Sequence, residues 1–386
     1  MSFSIDEIDF TIFEHFLPMC QDRFRQKHNS LWEEAGLAMK NEKKAPTIQD
    51  VARVASVSAA TVSRALSTPD RVSDAMRDKV SAAILSTGYT LNQAARTLRK
   101  RASKTILVIL PDIGNTFFSN IVNAVEREAA ARGYGMLVTN RIGGRDPSRK
   151  VHEFILSNRA DGLLVCDGSL DLSDFPAVDD GATKIPVVIA CEEHPGFPAP
   201  TVVTDNIRAA QLGVQHLIDL GHRRIGHISS PRNNVLFSLR RAGYEQAMQA
   251  AGLPIQAELT FEGSFSLESG AQGAQKLLSL PEPPTAIFCD NDEMAIGLIS
   301  EAHKMDVACP ADLSVCGFDD IAVASRVTPP LTTLRQPNYD VGRIAAEILL
   351  DTIEHNPSGQ WPQRVVLKSE LIIRGSTASP RQIDVK

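Results

Sequence analysis

The amino-acid sequence predicts an all-α helix-turn-helix headpiece followed by an α/β body of two doubly wound parallel-sheet lobes. The segment TIQDVARVASVSAATVSRAL, at 47–66, has the apolar spacing of two short helices around a tight turn. From Thr105 onward, short β-branched runs alternate with amphipathic stretches, as strands alternate with helices. A length of 386 residues is too great for one ordinary core and fits two or three domains.

The first headpiece helix is predicted to begin after Thr47. Thr47 can act as the N-cap, and Asp50, at the third helical position, can reach back to it. Apolar residues then recur with helical spacing and predict one buried face. They are Ile48, Val51, Ala52 and Ala55.

The second helix is predicted to follow a turn whose apolar plug is Val57. Ser58 can cap this helix. Its inward face is formed by Val62, Ala65 and Leu66. Its outward face carries side chains that are small enough near the N-terminus to enter a DNA major groove. They are Ala60, Thr61 and Arg64.

A third helix is predicted from Ser73 to about Thr87, with Gly88 as its stop. The basic segment YTLNQAARTLRKRASK follows it. Residues 45–104 hold ten Lys and Arg against four Asp and Glu, whereas the net charge is −2 before them and −10 after them. A basic head on an acidic body is typical of a nucleic-acid reader with another module attached. The inward residues of the third helix are Met76, Val80, Ala83 and Ile84.

The body is predicted to contain two sets of parallel strands. Amphipathic segments at 120–132 and 207–220 lie between apolar runs, and continuous apolar runs indicate sheets that are covered on both faces. The runs are TILVIL (105–110), GMLVT (135–139), DGLLVC (161–166), VVIAC (187–191), RIGHIS (224–229), TAIFC (285–289) and LSVCGF (313–318).

Polar and aromatic residues follow several of these strands. Ligands of doubly wound sheets bind outside the carboxyl ends of the strands, so these residues are expected to meet at one cleft between the lobes. They suit a small polar ligand with a flat or ring-shaped face. The residues are Pro111, Asp112, Asn115, Phe117, Phe118, Cys191, Asp290, Asn291, Asp292 and Asp319.

Several functional classes are disfavoured by the sequence. No apolar run approaches the ~20 residues that span a bilayer, and the acidic start MSFSIDEIDF is unlike a secretory signal. Six Cys without a CxxC motif predict reduced thiols in a cytoplasmic protein. The CEEH run at 191–194 is too local for a metal site. Because no phosphate loop, dinucleotide fingerprint or nucleophile elbow is present, we expect no enzyme, metal or cofactor.

Further ordered motifs appear along the chain, namely LNQAARTL, FFSNI, GHRRIGHIS, RRAGY, DNDEMAIGL, SVCGFDD, PPLTTLRQP and ELIIRGST. With them the sequence resembles the lactose-repressor (LacI/GalR) family of bacterial transcription factors over about residues 46–377. The runs ILVILPDI, PPLTTLRQP and ELIIRGST are most similar to its cytidine repressor subfamily. The resemblance implies a periplasmic-binding-protein-like body.

The resemblance also implies the DNA contacts. Ser58 and Thr61 would bind phosphates, Arg64 would bind guanine or phosphate unless it is merely solvated, and Leu98 would wedge into the central base step. The hinge helix 92–98 is too short to be stable alone, so it would fold only on DNA. The expected DNA-binding residues are Thr47, Ser58, Ala59, Ala60, Thr61, Ser63, Arg64, Tyr89, Asn92, Ala95, Leu98 and Arg99.

The family's effector contacts map onto the strand ends. Arg240 would bind hydroxyls or a carbonyl, and Asp319 would accept hydrogen bonds unless it only caps a helix. Phe118 and Phe265 would stack on a ring, although Phe117 and Phe265 also suit a core. Cys191 departs from the family pattern, since a thiol is a poor acceptor for a hexose hydroxyl. The expected residues are Asp112, Phe117, Phe118, Cys191, Arg240, Phe265, Asn291, Asp292, Asp319 and Gln336.

The expected domain order begins with an extension at 1–45, which is either an interaction arm or the product of a start codon misassigned upstream of Met39. The lobes are expected to exchange near Thr204, Gln336 and Val365. The remaining boundaries are a headpiece at 46–90, a hinge at 91–104, an effector and dimerisation domain at 105–378 (first lobe 105–203 and 336–364, second lobe 204–335 and 365–378) and a tail at 379–386.

The predicted function is a ligand-responsive DNA-binding transcriptional regulator that acts as a repressor. It would bind a palindromic operator as a homodimer, because one headpiece contacts only a few base pairs. Its effector would be a nucleoside, nucleobase or sugar. The alternatives are a solute-binding protein for transport, which has no use for residues 47–104, and an enzyme on a doubly wound fold. Whether the effector releases or recruits the protein stays open.

Overall fold

The computed structural model describes residues 46–68, 71–89, 102–140, 159–170, 185–194, 197–355 and 361–381. The chain divides after Gln93 into a small helical unit and a larger α/β unit. The expected N-terminal extension lies outside the described residues. So do four of the expected DNA contacts, Asn92, Ala95, Leu98 and Arg99.

The small unit is a three-helix domain built on local capping. Helices α1, α2 and α3 span Ile48–Val54, Ala59–Ser67 and Asp74–Thr87. The Thr47 N–H and Oγ1 both donate to Asp50 Oδ2, at 2.9 and 2.8 Å, as the sequence predicted for the start of α1. Gly88 ends α3 with φ +66°, a left-handed conformation that glycine adopts without strain. The shared core consists of Val51, Ala52, Ala55, Val62, Ala65, Val80 and Ala83.

The first lobe of the large unit is a six-stranded parallel sheet, in the order β11-β5-β4-β3-β1-β2. Helices α4 (Ser119–Ala131) and α9 (Asn338–His355) pack against each other in this lobe. The strands are β1 (Thr105–Leu110), β2 (Gly135–Asn140), β3 (Gly162–Val165), β4 (Val187–Cys191), β5 (Thr201–Thr204) and β11 (Arg364–Leu367).

The second lobe is also six-stranded, in the order β12-β10-β9-β8-β6-β7, and only β12 runs antiparallel to its neighbour. Two helix pairs pack against each other, α5 with α6 and α7 with α8. The strands are β6 (Ile225–Ser229), β7 (Thr260–Glu262), β8 (Ala286–Cys289), β9 (Ser314–Asp319), β10 (Thr332–Arg335) and β12 (Glu370–Ile372), and the helices are α5 (Asn206–Asp219), α6 (Val235–Ala250), α7 (Leu267–Leu278) and α8 (Asp292–Lys304).

The seven apolar runs named from the sequence are all strands, each with ends within one residue of the expected ones. Five further strands of the described chain, β5, β7, β10, β11 and β12, have only three or four residues. Such short runs give too few positions for a periodic signal, so their pairing depends on the rest of the sheet.

One lobe exchange lies elsewhere than the sequence suggested. We expected the third exchange near Val365, but Val365 pairs with Val202 inside the first sheet. The chain leaves the first lobe only between Leu367 and Glu370, where β11 ends and β12 begins. The segment RVVLKSELI contains no Gly or Pro, so no turn residue marks the exchange.

Candidate functional site: an interlobe cleft and a DNA-reading head

The outer surface of α2 carries the side chains that were expected to meet DNA. Ser58 caps the helix, since its Oγ accepts a hydrogen bond from the Thr61 N–H at 3.0 Å. Ala60 and Arg64 are exposed one turn apart on this helix. Within the described part of the chain Arg64 forms no ion pair, whereas Arg53 on α1 is bound to Asp50 at 2.6 Å. An exposed guanidinium in the last turn of this helix, without an ion pair among the described residues to hold it, is suited to a nucleic-acid backbone or base.

Two other expected DNA contacts serve the headpiece core as well. Ala59 and Tyr89 are half-buried and pack against the apolar cluster of the three helices. Ser63 is also half-buried, while Thr47 is exposed at the start of α1. The first turn of α2 must pack on α1, so the methyl group of Ala59 has less free surface than that of Ala60.

A cleft of about 510 Å³ lies at the carboxyl ends of the strands of both lobes. Its walls come from the loops after β1, β3, β4, β6, β7, β8, β9 and β10, because parallel strands deliver their ends to one edge of the sheet. Nine of the ten residues expected to contact an effector line it. These are Asp112, Phe117, Phe118, Cys191, Arg240, Phe265, Asn291, Asp319 and Gln336.

Asp292, the tenth expected contact, does not line the cleft. Its fully buried carboxyl group accepts hydrogen bonds from the Ile321 N–H at 2.9 Å and from Thr333 Oγ1 at 2.5 Å. Burial raises its pKa well above the usual value. The side chain turns inward because Gly317 leaves room for it, a Cβ there being 2.3 Å from Asp292 Oδ1. Its role is therefore to join α8 to β10 and to the loop after β9.

Arg240 is the basic side chain of the cleft and is held rigidly. It is 3% exposed, and its Nε donates to Asn206 Oδ1 at 2.9 Å. Its Nη1 donates to the Asp290 carbonyl, and the guanidinium lies 3.8 Å from the centre of the Phe318 ring. A stacked and hydrogen-bonded guanidinium presents its remaining donors in one fixed direction. It can therefore orient a ligand oxygen.

The loop that supports Arg240 contains a buried polar network that the sequence did not predict. His227 Nε2 lies 2.8 Å from Asp290 Oδ1, and the Ser230 N–H donates to Asp290 Oδ2 at 2.6 Å. Burial acts to raise the pKa of Asp290, but the electrostatic attraction and hydrogen bond of His227 lower it on balance. The network fixes the peptide whose carbonyl binds Arg240.

Two carboxyl groups of the cleft have pKa values close to neutrality. Burial raises the pKa of Glu192 to about 7 and that of Asp319 to about 7, although the charge of Arg240 opposes both shifts. Asp319 Oδ1 accepts a hydrogen bond from Gln336 Nε2 at 2.7 Å. Each carboxyl can therefore change protonation when a ligand binds near it.

The backbone is strained at three lining positions. Cys191, Asp319 and Phe265 have φ values of +69°, +118° and +61°, which residues with side chains rarely adopt. Such conformations persist where surrounding structure enforces them, and they concentrate at ligand sites.

The neighbouring Cys166 thiol and burial together raise the pKa of Cys191 well above its usual value.

Several lining residues were missed from the sequence. Glu192 and Glu293 each directly follow a residue that was expected in the cleft or beside it, so the strand-end rule could have included them. Asn234 was detectable as the N-cap of α6. The remaining missed positions are in loops without a sequence signal. Pro111 and Asn115 line the cleft as their place after β1 predicted, and the missed set is Gly114, Ser169, Glu192, Pro231, Asn233, Asn234, Leu236, Ser264, Ser266 and Glu293.

Comparison with known families matches both units of the chain. The model described as bacterial regulatory proteins, lacI family, matches residues 47–92, and that of a periplasmic binding protein-like domain matches 214–377. The HTH-type transcriptional repressor CytR of Escherichia coli is 39% identical over 338 residues, or 88% of this chain and 98% of that protein. This chain belongs to the lacI family of bacterial regulatory proteins.

Solved structures of lacI-family proteins share its fold. The lac repressor dimer bound to operator and the anti-inducer ONPF has a TM-score of 0.77 at 29% identity, covering 87% of this chain and 100% of that chain. The transcriptional regulator CelR in complex with cellobiose has a TM-score of 0.64 at 31% identity, covering 86% and 99%. The expected fold class is thereby confirmed.

The relatives in the lacI family are transcriptional repressors, so this chain is a ligand-responsive DNA-binding repressor and not an enzyme. No helix within the described ranges is long and apolar enough to cross a membrane. Across those same ranges, no three His, Cys, Asp or Glu side chains are grouped to hold a metal ion.

We expect the cleft carboxyls to make the stability of this lacI-family protein depend on pH. The folded-state pKa of Asp319, about 7, exceeds its usual 3.8, so the folded chain binds more protons than the unfolded chain between these values. The stability that Asp319 contributes is therefore lost as the pH rises through 7. Asp319→Asn has no carboxyl there and shows no such loss. From pH 5 to pH 8 the free energy of unfolding of the variant, relative to that of the parent, should therefore rise by on the order of 2 kcal/mol.

Urea unfolding of parent and variant at both pH values measures this gain. Glu282→Gln, which changes an exposed carboxyl on the loop before β8, is the matched control and should show the same difference from the parent at both pH values. An equal difference for Asp319→Asn at pH 5 and pH 8 would contradict the raised pKa.

Proposed function

We propose that this lacI-family repressor binds a palindromic operator as a homodimer and that a small molecule in the interlobe cleft switches its operator affinity. The cleft of about 510 Å³, lined by aromatic, acidic and guanidinium side chains, carries the proposal. The lac repressor, a structural neighbour solved as a dimer bound to its operator, supports the proposal that a dimer binds the operator. The protein would act in the cytoplasm, where operator DNA is found.

The proposed effector is a nucleoside, a nucleobase or a sugar. Phe118 and Phe265 offer ring faces, while Asp319 and Arg240 offer an acceptor and a planar donor. The CelR neighbour holds a sugar, cellobiose. Cys191 supplies a weak acceptor at a strand end, which favours a ligand with an aromatic ring over a plain hexose.

The proposed switch is the hinge between the two units. Asn92, Ala95, Leu98 and Arg99 would form a helix on DNA, with Leu98 wedged into the central base step. A short helix of this kind needs its twin and the minor groove to be stable. Lobe movement that changes the spacing of the two hinges would alter operator affinity, for which a coupling of ~1–3 kcal/mol is enough.

Arg64→Ala is expected to lower operator affinity about tenfold to a hundredfold and to reduce its salt dependence. The side chain is exposed on α2, and a contact with guanine or phosphate contributes ~1–3 kcal/mol. Fluorescence anisotropy with operator DNA at several salt concentrations measures both effects. Arg208→Ala removes an exposed arginine from the large unit and should bind like the parent. Parent-like affinity and salt slope for Arg64→Ala would rule out this contact.

The whole proposal can be tested in two steps. Selection of bound fragments from random duplex DNA should enrich a palindrome. A thermal-shift screen of nucleosides, bases and sugars should then give a ligand that changes affinity for that palindrome. No preference for any palindrome over random DNA, with or without these ligands, would refute the proposed function.

A further inference from the structure

A hydrogen bond joins the two lobes at one rim of the cleft. Glu192 follows β4 of the first lobe, and Asn234 precedes α6 of the second. Asn234 Nδ2 donates to Glu192 Oε2 at 3.0 Å, and the Gly168 N–H, after β3, donates to the same oxygen at 2.8 Å. A single carboxyl oxygen therefore accepts one hydrogen bond from each lobe.

The amide of Asn234 is fixed in this orientation. Its Oδ1 accepts a hydrogen bond from the Leu236 N–H at 2.8 Å as the N-cap of α6, so its Nδ2 is left to reach Glu192. The same helix carries Arg240, which lines the cleft. The hydrogen bond to Glu192 thus connects the first lobe to the helix that presents the guanidinium to a ligand.

Gly168 lets the lobes approach at this rim. A Cβ at Gly168 would lie 2.8 Å from Glu192 Cβ and Oε2 and 3.3 Å from Val235 Cγ1 on α6. Side chains do not pack so closely, so glycine is required for the contact. Glu192 is 6% exposed, and loss of its partner would leave a buried acceptor partly unpaired.

A second pair of carboxyls in the cleft wall acts in the other direction. Asp112, after β1, belongs to the first lobe, and Glu293, in the first turn of α8, belongs to the second. Burial raises the pKa of Glu293, and the negative charge of Asp112 raises it further. Like charges on the two lobes oppose closure there. The hydrogen bond between Glu192 and Asn234 therefore favours closed lobes, whereas the repulsion between Asp112 and Glu293 favours open lobes.

We propose that the hydrogen bond between Glu192 and Asn234 is a latch that sets the balance between open and closed lobes, through which the effector reaches the operator. This inference rests on the proposed function, because it specifies how the same cleft is coupled to DNA binding. A ligand shifts a two-state equilibrium only by its difference in affinity for the two states. Breaking the latch should shift the same equilibrium without a ligand.

Three variants of the full chain test the latch. Asn234→Asp keeps a capping oxygen but places a second carboxylate against Glu192. The double variant Glu192→Gln/Asn234→Asp restores the pair with donor and acceptor exchanged, since the glutamine can keep its oxygen on the Gly168 N–H and turn its amide nitrogen toward the aspartate. Asn140→Asp makes the same charge change at an exposed residue of β2 and is the matched control.

Each variant is measured without ligand, by small-angle X-ray scattering and by anisotropy with the selected operator. We expect Asn234→Asp to increase the radius of gyration and to change operator affinity about tenfold or more. The double variant should return to within about threefold of the parent, because the two substitutions couple through one contact. Asn140→Asp should match the parent in both measurements.

The latch is overturned if Asn234→Asp behaves like Asn140→Asp in both measurements, or if the double variant is no closer to the parent than Asn234→Asp. A parent that prefers no palindrome would instead refute the proposed function. In that case scattering still decides the latch: an increased radius for Asn234→Asp that the double variant restores supports it, and equal radii reject it.

Discussion

Arg240→Ala should bind operator DNA like the parent and fail to respond to the effector. The guanidinium is 3% exposed, is stacked on Phe318, and is hydrogen-bonded to Asn206 and to the Asp290 carbonyl. It is thus held in place before a ligand arrives, and the side chain lines the cleft. Truncation of a buried, hydrogen-bonded charge at a binding site costs about 2–5 kcal/mol. We therefore expect effector affinity to fall about a hundredfold or more.

Titration of the variant with the ligand found by thermal shift, in the presence of labelled operator, measures the loss. Arg241→Ala is the matched control, since the neighbouring arginine is paired with Glu245 at 2.7 Å and is not among the residues that line the cleft. Arg240→Lys keeps the charge without the planar fork and should recover only part of the response. A normal response in Arg240→Ala would mean that the effector binds elsewhere.

Gly297→Ala should destabilise the large unit by about 3 kcal/mol or more. Helices α7 and α8 cross with backbone almost in contact, and a Cβ at Gly297 would lie 1.9 Å from the Leu267 carbonyl oxygen. The reverse contact is equally close, since a Cβ at Gly270 would lie 2.0 Å from the Met294 carbonyl oxygen. Backbone atoms cannot rotate away as side chains do, so the helices would have to separate.

Chemical denaturation of the full chain, followed by circular dichroism, measures the shift in the unfolding midpoint. Ser300→Ala is the control on the same helix, because Ser300 is exposed, and its effect should stay within about 0.5 kcal/mol. An unchanged midpoint for Gly297→Ala would show that the two helices can separate at little cost.

The agreement between sequence and structure is best where an interaction spans three or four residues. Thr47 with Asp50, Ser58 with Thr61, and the stop at Gly88 all appear as the sequence predicts. Each depends on capping chemistry within one helical turn, which the chain contains in full. The residues that follow the strands also line one cleft, as expected, because parallel topology alone brings the carboxyl ends of the strands to the same edge of a sheet.

The differences arise where the direction of a side chain depends on distant packing. Asn291 and Asp292 are adjacent, yet only Asn291 lines the cleft, because Gly317 and Thr333 receive the carboxyl of Asp292. Residues Ala59 and Tyr89 lost part of their outward surface to the headpiece core. No local pattern distinguishes such neighbours, because the deciding contacts come from other elements.

By itself, the sequence determined the two-part architecture, the capped helices of the headpiece and the set of strands whose ends form the cleft. Periodicity and capping are local properties, so they can be recognised in the sequence without knowing which surfaces pack together. Only the tertiary structure decided which carboxyls face a ligand, where the third lobe exchange lies and how the lobes are joined. Glu192 and Asn234 are 42 positions apart and meet because two separate sheets place them there. Contacts of that kind depend on the packing of the whole chain, and no short pattern encodes them.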